Sequence, residues 1–329
     1  MEANVVQAGQ LVQFYCRPRW VANLVEEACG QALTPGSRDR KPDVYVVVTG
    51  ERSAFDLRGW TPLTRDAFQR DRSVVMTNVC GSGFDICVTV LGDEHRPRVR
   101  LEARFRPPVR EHVAAWGLRS RFHLLARAVL SQYPALWVAG TRGWAPLHAS
   151  GVRVGDESVL VAGPGGVGRS SLLISSLEDG AQACTDNVCV SDGTQVAGVV
   201  EPMRVTGAAG RRMPHGRAEQ PLPNRVSWVV PTCVVVVRRG LQEQPVVRPI
   251  SAEKAAEVLV AGTYMAGELR RYWSFAATLA LGSGLPAVHP RIQDVADTLS
   301  RLPAVELSLG RPPAPSLATV LRDARSVRA

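Results

Sequence analysis

A chain of 329 residues with 45% hydrophobic and 21% charged content is long enough for two hydrophobic cores. No window of it approaches the roughly 20 apolar residues of a transmembrane helix, and residues 1–10 carry no secretory signal, so a cytoplasmic address and no membrane partner are expected. The net charge of +9 is spread along the chain with few aromatic residues among the basic ones, which argues against nucleic acid as a partner.

In chain order, Trp20 to Ala32 has helical spacing of apolar residues. Asp43 to Thr49, Ser73 to Thr77, Asp85 to Leu91 and Arg98 to Phe105 are short β-branched or alternating runs that predict strands of a small sheet. Thr34 to Lys41 and Gly50 to Arg72 are polar and turn-rich. From Glu111 to Tyr133, Val113, Trp116, Phe122, Leu125 and Val129 fall near helical spacing and predict one long helix. This α+β region, residues 1–135, shows no catalytic motif; a role in substrate or partner binding is assigned to it.

Residues 136–329 carry the chemistry. Pro146 to Ser150 leads into Gly151 to Val154, the chain turns at Gly155-Asp156, and Ser158 to Ala162 returns, a hairpin. A glycine-rich loop follows, Gly163-Pro164-Gly165-Gly166-Val167-Gly168-Arg169-Ser170-Ser171, then helical Leu172 to Leu177 and a strand from Ala181 to Thr185 ending on Asp186-Asn187. Beyond lie a hairpin around Asp192-Gly193, the Glu201-Pro202 segment, and an irregular surface loop from Gly207 to Asn224 with Arg211, Arg212, His215 and Arg217. Cys233 to Val237 reads as a strand, Ala252 to Gly262 as a helix capped by Ser251, Ile292 to Leu302 as a helix, Val305 to Leu309 as a strand and Ser316 to Asp323 as a closing helix.

The glycine loop fits two templates. As Gly163-x-x-x-x-Gly168-Arg169-Ser170 it is a phosphate-binding loop with arginine in the lysine position. Its backbone amides and the following helix N-terminus would surround a triphosphate, and the Ser170 hydroxyl would meet Mg²⁺. As Gly163-x-Gly165-x-x-Gly168, with Asp186 about 20 residues on, it matches a dinucleotide fingerprint. The hairpin before the loop and the Arg169-Ser170 pair favour the phosphate loop. The seven cysteines are odd in number and scattered; Cys184 and Cys189 read most simply as buried thiols. Asn-Lys-x-Asp, Gly-x-Ser-x-Gly and His-Glu-x-x-His are all absent, which leaves switch-GTPase and hydrolase readings without support.

Between Leu147 and Val205 the chain resembles the catalytic domain of HPr kinase/phosphorylase and its wider group of related kinases. The resemblance is carried by Leu147-His148-Ala149 ahead of the hairpin, the glycine loop, the acid at Asp186 and the Glu201-Pro202 segment. It implies an α/β fold with a P-loop kinase-like C-terminal domain after a smaller α+β N-terminal region. The family uses ATP and Mg²⁺ to phosphorylate a serine hydroxyl, so the acceptor would be a hydroxyl of a peptide, protein or small molecule. Carried over, Gly163, Gly165, Gly166, Val167, Gly168, Arg169, Ser170 and Ser171 would bind the nucleotide, and Ser170, Asp186 and Glu201 the metal. Asp186, His148 and Arg169 would be the catalytic group, with Asp186 accepting the acceptor's proton. The family's tendency to assemble leaves a homo-oligomer open. Two positions depart from the pattern: the usual lysine is Arg169, and the usual paired acids are Asp186-Asn187. Two further readings therefore stand beside the kinase, a nucleotide-binding pseudokinase scaffold or regulator and a dinucleotide-binding or E1-like adenylating enzyme.

Overall fold

The computed structural model describes residues 1–36, 40–93, 96–206, 210–213, 216–285 and 289–328. The chain divides into two compact units: Met1–Gly143 with Arg271–Val288, and Trp144–Arg270 with His289–Ala329. The sequence reading cuts the chain once, after residue 135, whereas these units interleave. The returning segment carries Tyr272, Phe275 and Leu279, fully or nearly fully buried, and the first two rings lie against Tyr133 at 5.7 Å. Aromatic packing between residues so far apart in sequence has no local signature.

The first unit is built on a nine-stranded mixed sheet. Its strands are β1 (Glu2–Gln7), β2 (Gln10–Cys16), β3 (Thr34–Pro35), β4 (Val44–Val48), β5 (Thr61–Thr64), β6 (Ala67–Arg70), β7 (Ser73–Met76), β8 (Phe84–Leu91) and β9 (Arg98–Phe105), in the order β3-β1-β2-β4-β9-β8-β7-β6-β5. Helix α1 (Arg19–Cys29) buries Val21, Leu24 and Val25. The predicted long helix is three: α2 (Val109–Gly117), α3 (Arg119–Arg127) and, beyond a π turn over Ala128–Gln132, α4 (Tyr133–Thr141). The break falls at Leu118, whose φ of −116° and ψ of 56° leave the helical region just after Gly117. Upstream of it Val113 and Trp116 are exposed, while Leu125 and Val129 downstream are buried, so only the second half of the predicted stripe faces a core.

The second unit has three sheets. The largest runs β13-β11-β12-β20-β22-β21, from β11 (Ala149–Val154), β12 (Glu157–Ala162), β13 (Gln182–Thr185), β20 (Cys233–Arg239), β21 (Val246–Pro249) and β22 (Ala304–Leu309). Strands β12, β20 and β22 are parallel, and their alternate residues Val159, Val161, Val235, Val237, Val305 and Leu307 face one cluster. Helices α5 (Arg169–Glu178) and α9 (Leu317–Arg328) close that cluster with Leu172, Leu173, Leu177, Val320 and Leu321. Each fully buried aliphatic side chain there is worth about 1.5–3 kcal/mol. Helix α6 (Ala252–Met265) packs on β11, β12 and β20. It opens as predicted, with the Ser251 hydroxyl accepting the Lys254 N–H at 3.2 Å.

A second sheet joins β10 (Ala145–Leu147), β14 (Cys189–Ser191), β15 (Val196–Gly198) and β19 (Trp228–Val229). The third joins β16 (Met203–Thr206), β18 (Arg217–Gln220) and β17 (Arg211–Met213), in that order. The last two strands correct the reading of Gly207 to Asn224 as an irregular loop; His215 lies outside the described residues. Helices α7 (Gly267–Ser283) and α8 (Ile292–Leu299) complete the set. Among the described residues no helix is long and apolar enough to cross a membrane.

Candidate functional site

Strand β12 ends at Ala162, the glycine loop turns, and α5 begins at Arg169. Three glycines of the loop are required by the backbone, Gly166 by its φ of 83° alone and two others by close approach as well. Gly163 has φ 151°, and a Cβ there would stand 2.7 Å from the Val237 carbonyl oxygen of β20. Gly168, the N-cap of α5, has φ 110°, and its Cβ would stand 2.6 Å from Leu309. Gly165 is different: a Cβ there would meet nothing within 4 Å, so protein packing does not account for that glycine.

The start of α5 is open to an anion. Gly168 supplies no side-chain cap, the first turn holds no acid, and the first backbone bond runs from the Leu172 N–H to the Gly168 carbonyl at 3.0 Å. The preceding amides are left for a ligand, with the positive end of the helix dipole behind them.

Ser170 and Asp186 meet at this point. The Ser170 hydroxyl donates to Asp186 Oδ2 at 2.8 Å, and the backbone of Asp186 is held by the hydroxyl of buried Ser150. Asp186 is 7% exposed, and its Oδ1 has no hydrogen-bond partner. Burial raises its pKa, against the Ser170 hydrogen bond and the charges of Arg169 and Arg204. A hydroxyl and a half-satisfied buried carboxylate form a donor pair suited to a hard divalent cation, which would complete its shell from phosphate oxygens and water. Among the described residues no three His, Cys, Asp or Glu side chains converge as a metal cage of their own.

Arg169 faces the other way. It is 7% exposed, and one guanidinium nitrogen donates to the His148 carbonyl at 3.1 Å. The other lies 2.7 Å from His148 Nε2 and 3.4 Å from Asn187 Oδ1. The two departures from the resembled pattern, Arg169 and Asn187, therefore touch. The His148 backbone N–H donates to Thr263 Oγ1 of α6, and its Nε2 lies 2.8 Å from Asn187 Oδ1. Burial first, then the Arg169 charge, lowers His148 to about 4, so its ring is neutral at neutral pH.

One cavity of about 430 Å³ brings together His148, Gly165, Gly166, Gly168, Arg169, Ser170, Ser171, Asp186, Asn187 and Glu201. Of the residues predicted for the site, Gly163 and Val167 do not line it; Gly163 closes the β12 end and Val167 faces a neighbouring cleft. Three charged residues of the cavity were not singled out for the site from the sequence or were read as loop surface: Arg204, Arg217 and Glu268. Arg204 donates to Glu268 at 2.9 Å. Burial works against both charges, but Glu201 and Glu268 keep Arg204 protonated and Arg204 brings Glu268 down to about 2. Arg217, half-buried on β18, has no acidic partner among the described residues. Strand pairing delivers both arginines, since β16 and β18 run antiparallel with Arg217 opposite Thr206.

The sheet order departs from the dinucleotide template. In a Rossmann unit the strand after the helix lies beside the strand before the loop. Here β11, antiparallel to both, stands between β12 and β13, and the Ser170 hydroxyl donates to Asp186. Cys184 and Cys189 are fully buried, and burial pushes the Cys184 thiol up to about 12 and Cys189 well above its usual value, which makes them inert thiols.

No family model matches this chain, and no curated protein matches it. Among solved structures it is similar to the Hpr(Ser) kinase/phosphatase from Coxiella burnetii, at 17% identity over 32% of this chain and 77% of that one, with a TM-score of 0.24. A superposition at that level assigns no activity to this chain.

Proposed function

We propose that the second unit is a P-loop nucleotide site that binds ATP with Mg²⁺ and transfers the γ-phosphoryl group to a hydroxyl of a peptide, protein or small molecule. The observation that carries this reading is the buried, half-satisfied carboxylate of Asp186, hydrogen-bonded to Ser170 at the uncapped start of α5. The loop amides would hold the triphosphate, Ser170 and Asp186 the metal, and Glu201 lies in the same cavity as a further acid. Bound Mg²⁺ would neutralise charge on the phosphate oxygens. Arg204 and Arg217 supply positive charge in the same cavity, whose Arg169 donates to the His148 carbonyl. In the transfer, the acceptor oxygen forms a bond to the γ-phosphorus, the bond to the β–γ bridging oxygen breaks, ADP leaves, and the hydroxyl proton passes to the Asp186 carboxylate. Burial raises the pKa of Asp186, which makes its carboxylate a stronger base than an ordinary aspartate.

One observation favours a second reading, a site that binds nucleotide without transferring phosphate. The basic residue at the lysine position spends both guanidinium nitrogens on His148 and Asn187. Melting the purified protein with ATP, GTP, ADP and NAD, each with and without Mg²⁺, tests the shared part, because a ligand of the folded state raises the midpoint by mass action. A Mg²⁺-dependent rise with a nucleoside triphosphate supports the site, and a rise with NAD alone removes it. Label from γ-labelled ATP appearing on an added serine peptide or small alcohol then separates kinase from binder.

A further inference from the structure

Beside the phosphate cavity lies a second cavity of about 290 Å³, at the lower end of small-ligand pockets. Its wall is mainly aliphatic: Val167 of the glycine loop, Val237 at the end of β20, and Val258, Ala261 and Met265 along α6. Its rim carries charge, but two of those charges are spent locally. Arg238 pairs with Glu306 at 3.2 Å, and Lys254 with Glu257 at 2.7 Å.

The two cavities adjoin, and Pro164, Gly262 and Met265 line both. Gly262 puts no side chain at the join; the atom nearest to where its Cβ would stand is the Gly163 carbonyl oxygen at 3.7 Å. Met265, at the junction, is 73% exposed, a large apolar side chain that the fold itself does not use.

We propose that this cleft receives the purine base of the nucleotide whose phosphates the glycine loop holds, an inference that rests on the reading above. A flat, largely apolar heterocycle matches the aliphatic wall, the charged phosphates match the polar cavity, and the ribose spans the join at Gly262. Met265 then closes over the ring, a thioether–aromatic contact of the kind that is favourable. The base contributes affinity by losing water against Val237, Val258 and Ala261.

The test compares Mg-ATP with Mg-tripolyphosphate, which has the phosphates and no base, by calorimetry on the wild type, Ala261→Trp and Met265→Ala. Ala261 is exposed on the cavity wall, so the tryptophan fills the cleft without entering the core; Met265→Ala removes an exposed side chain and cannot unfold the protein. The wild type is expected to bind ATP at least tenfold more tightly than tripolyphosphate. Ala261→Trp should erase that advantage with tripolyphosphate affinity unchanged, and Met265→Ala should reduce the advantage severalfold. An ATP advantage that survives Ala261→Trp intact overturns the base site and leaves the phosphate loop standing. Wild-type protein that binds neither ligand overturns the phosphate reading and the base site with it.

Discussion

Arg169 and Ser170 are neighbours on the first turn of α5, yet they serve opposite sides of it. On the arginine side the guanidinium reaches the His148 carbonyl, the His148 ring and the Asn187 amide oxygen, a cluster closed around the arginine. On the serine side one hydrogen bond joins Ser170 to Asp186, and the second carboxylate oxygen is buried with nothing to bind. Buried polar atoms left open are costly in a folded protein. The closed side thus reads as support for the loop, and the open side as the place where a ligand completes the structure. The lysine-to-arginine departure is then a change of job rather than a loss, because the planar fork can bridge His148 and Asn187 where an ammonium could not.

The sharpest way to break this contrast is on the open side. Asp186→Asn should lower phosphate transfer by about 100-fold or more, the usual scale for removing a general base, while nucleotide binding in EDTA persists. Retained turnover of labelled ATP in that variant would take Asp186 out of the mechanism. On the closed side, Arg169→Ala leaves buried acceptors unpaired and should cost on the order of 3 kcal/mol of stability in urea titrations. Arg169→Lys should cost less, about 1–2 kcal/mol. Because residues 169 and 187 touch, Arg169→Lys and Asn187→Asp made together should deviate from the sum of the single changes by about 1 kcal/mol. Strict additivity would show that the two departures are unrelated.

A pH experiment sharpens the same side. His148 titrates near 4 when folded and near its ordinary value when unfolded, with Arg169, Arg204 and Glu268 as the charges acting on it. The unfolded chain therefore binds the extra proton first, and the stability gained from a neutral His148 is full above about pH 6.5 and is lost as pH falls toward 4. That loss is on the order of 3 kcal/mol. His148→Gln should flatten the dependence over this window, and an unchanged acid limb would place the ring outside the buried cluster. The smallest effect serves as a control: Ser251→Ala removes the α6 cap for about 1 kcal/mol and should leave nucleotide binding alone.

Local pattern revealed more of the second unit than of the first. The hairpin, the glycine loop, α5, β13 and α6 each carry their own turn or periodicity, and they set Ser170 beside Asp186 much as spacing suggests. The hairpin β1–β2 carries a local signal of its own, Val5-Val6 and the Leu11–Tyr15 run on either side of Ala8-Gly9. Strand β5 is mostly exposed and β6 half-buried, and their order comes from ladder bonds of β5 to β6 and of β6 to β7 that no local pattern announces. Arg204 and Arg217 illustrate the same limit within the site. Their strands are short and polar, and only the antiparallel pairing of β16 with β18 turns two surface-like arginines into one cavity wall. The inward turn of Arg169 was equally beyond spacing, because it depends on a carbonyl and an amide that β10, β11 and β13 deliver from elsewhere in the chain.

The most direct test of the account is the affinity for ATP measured at saturating free Mg²⁺ and again in EDTA, on the wild type and Asp186→Asn. An open Ser170–Asp186 pair predicts that Mg²⁺ strengthens wild-type binding by at least about tenfold and that the substitution abolishes the difference. Equal affinities with and without Mg²⁺ in the wild type would contradict it.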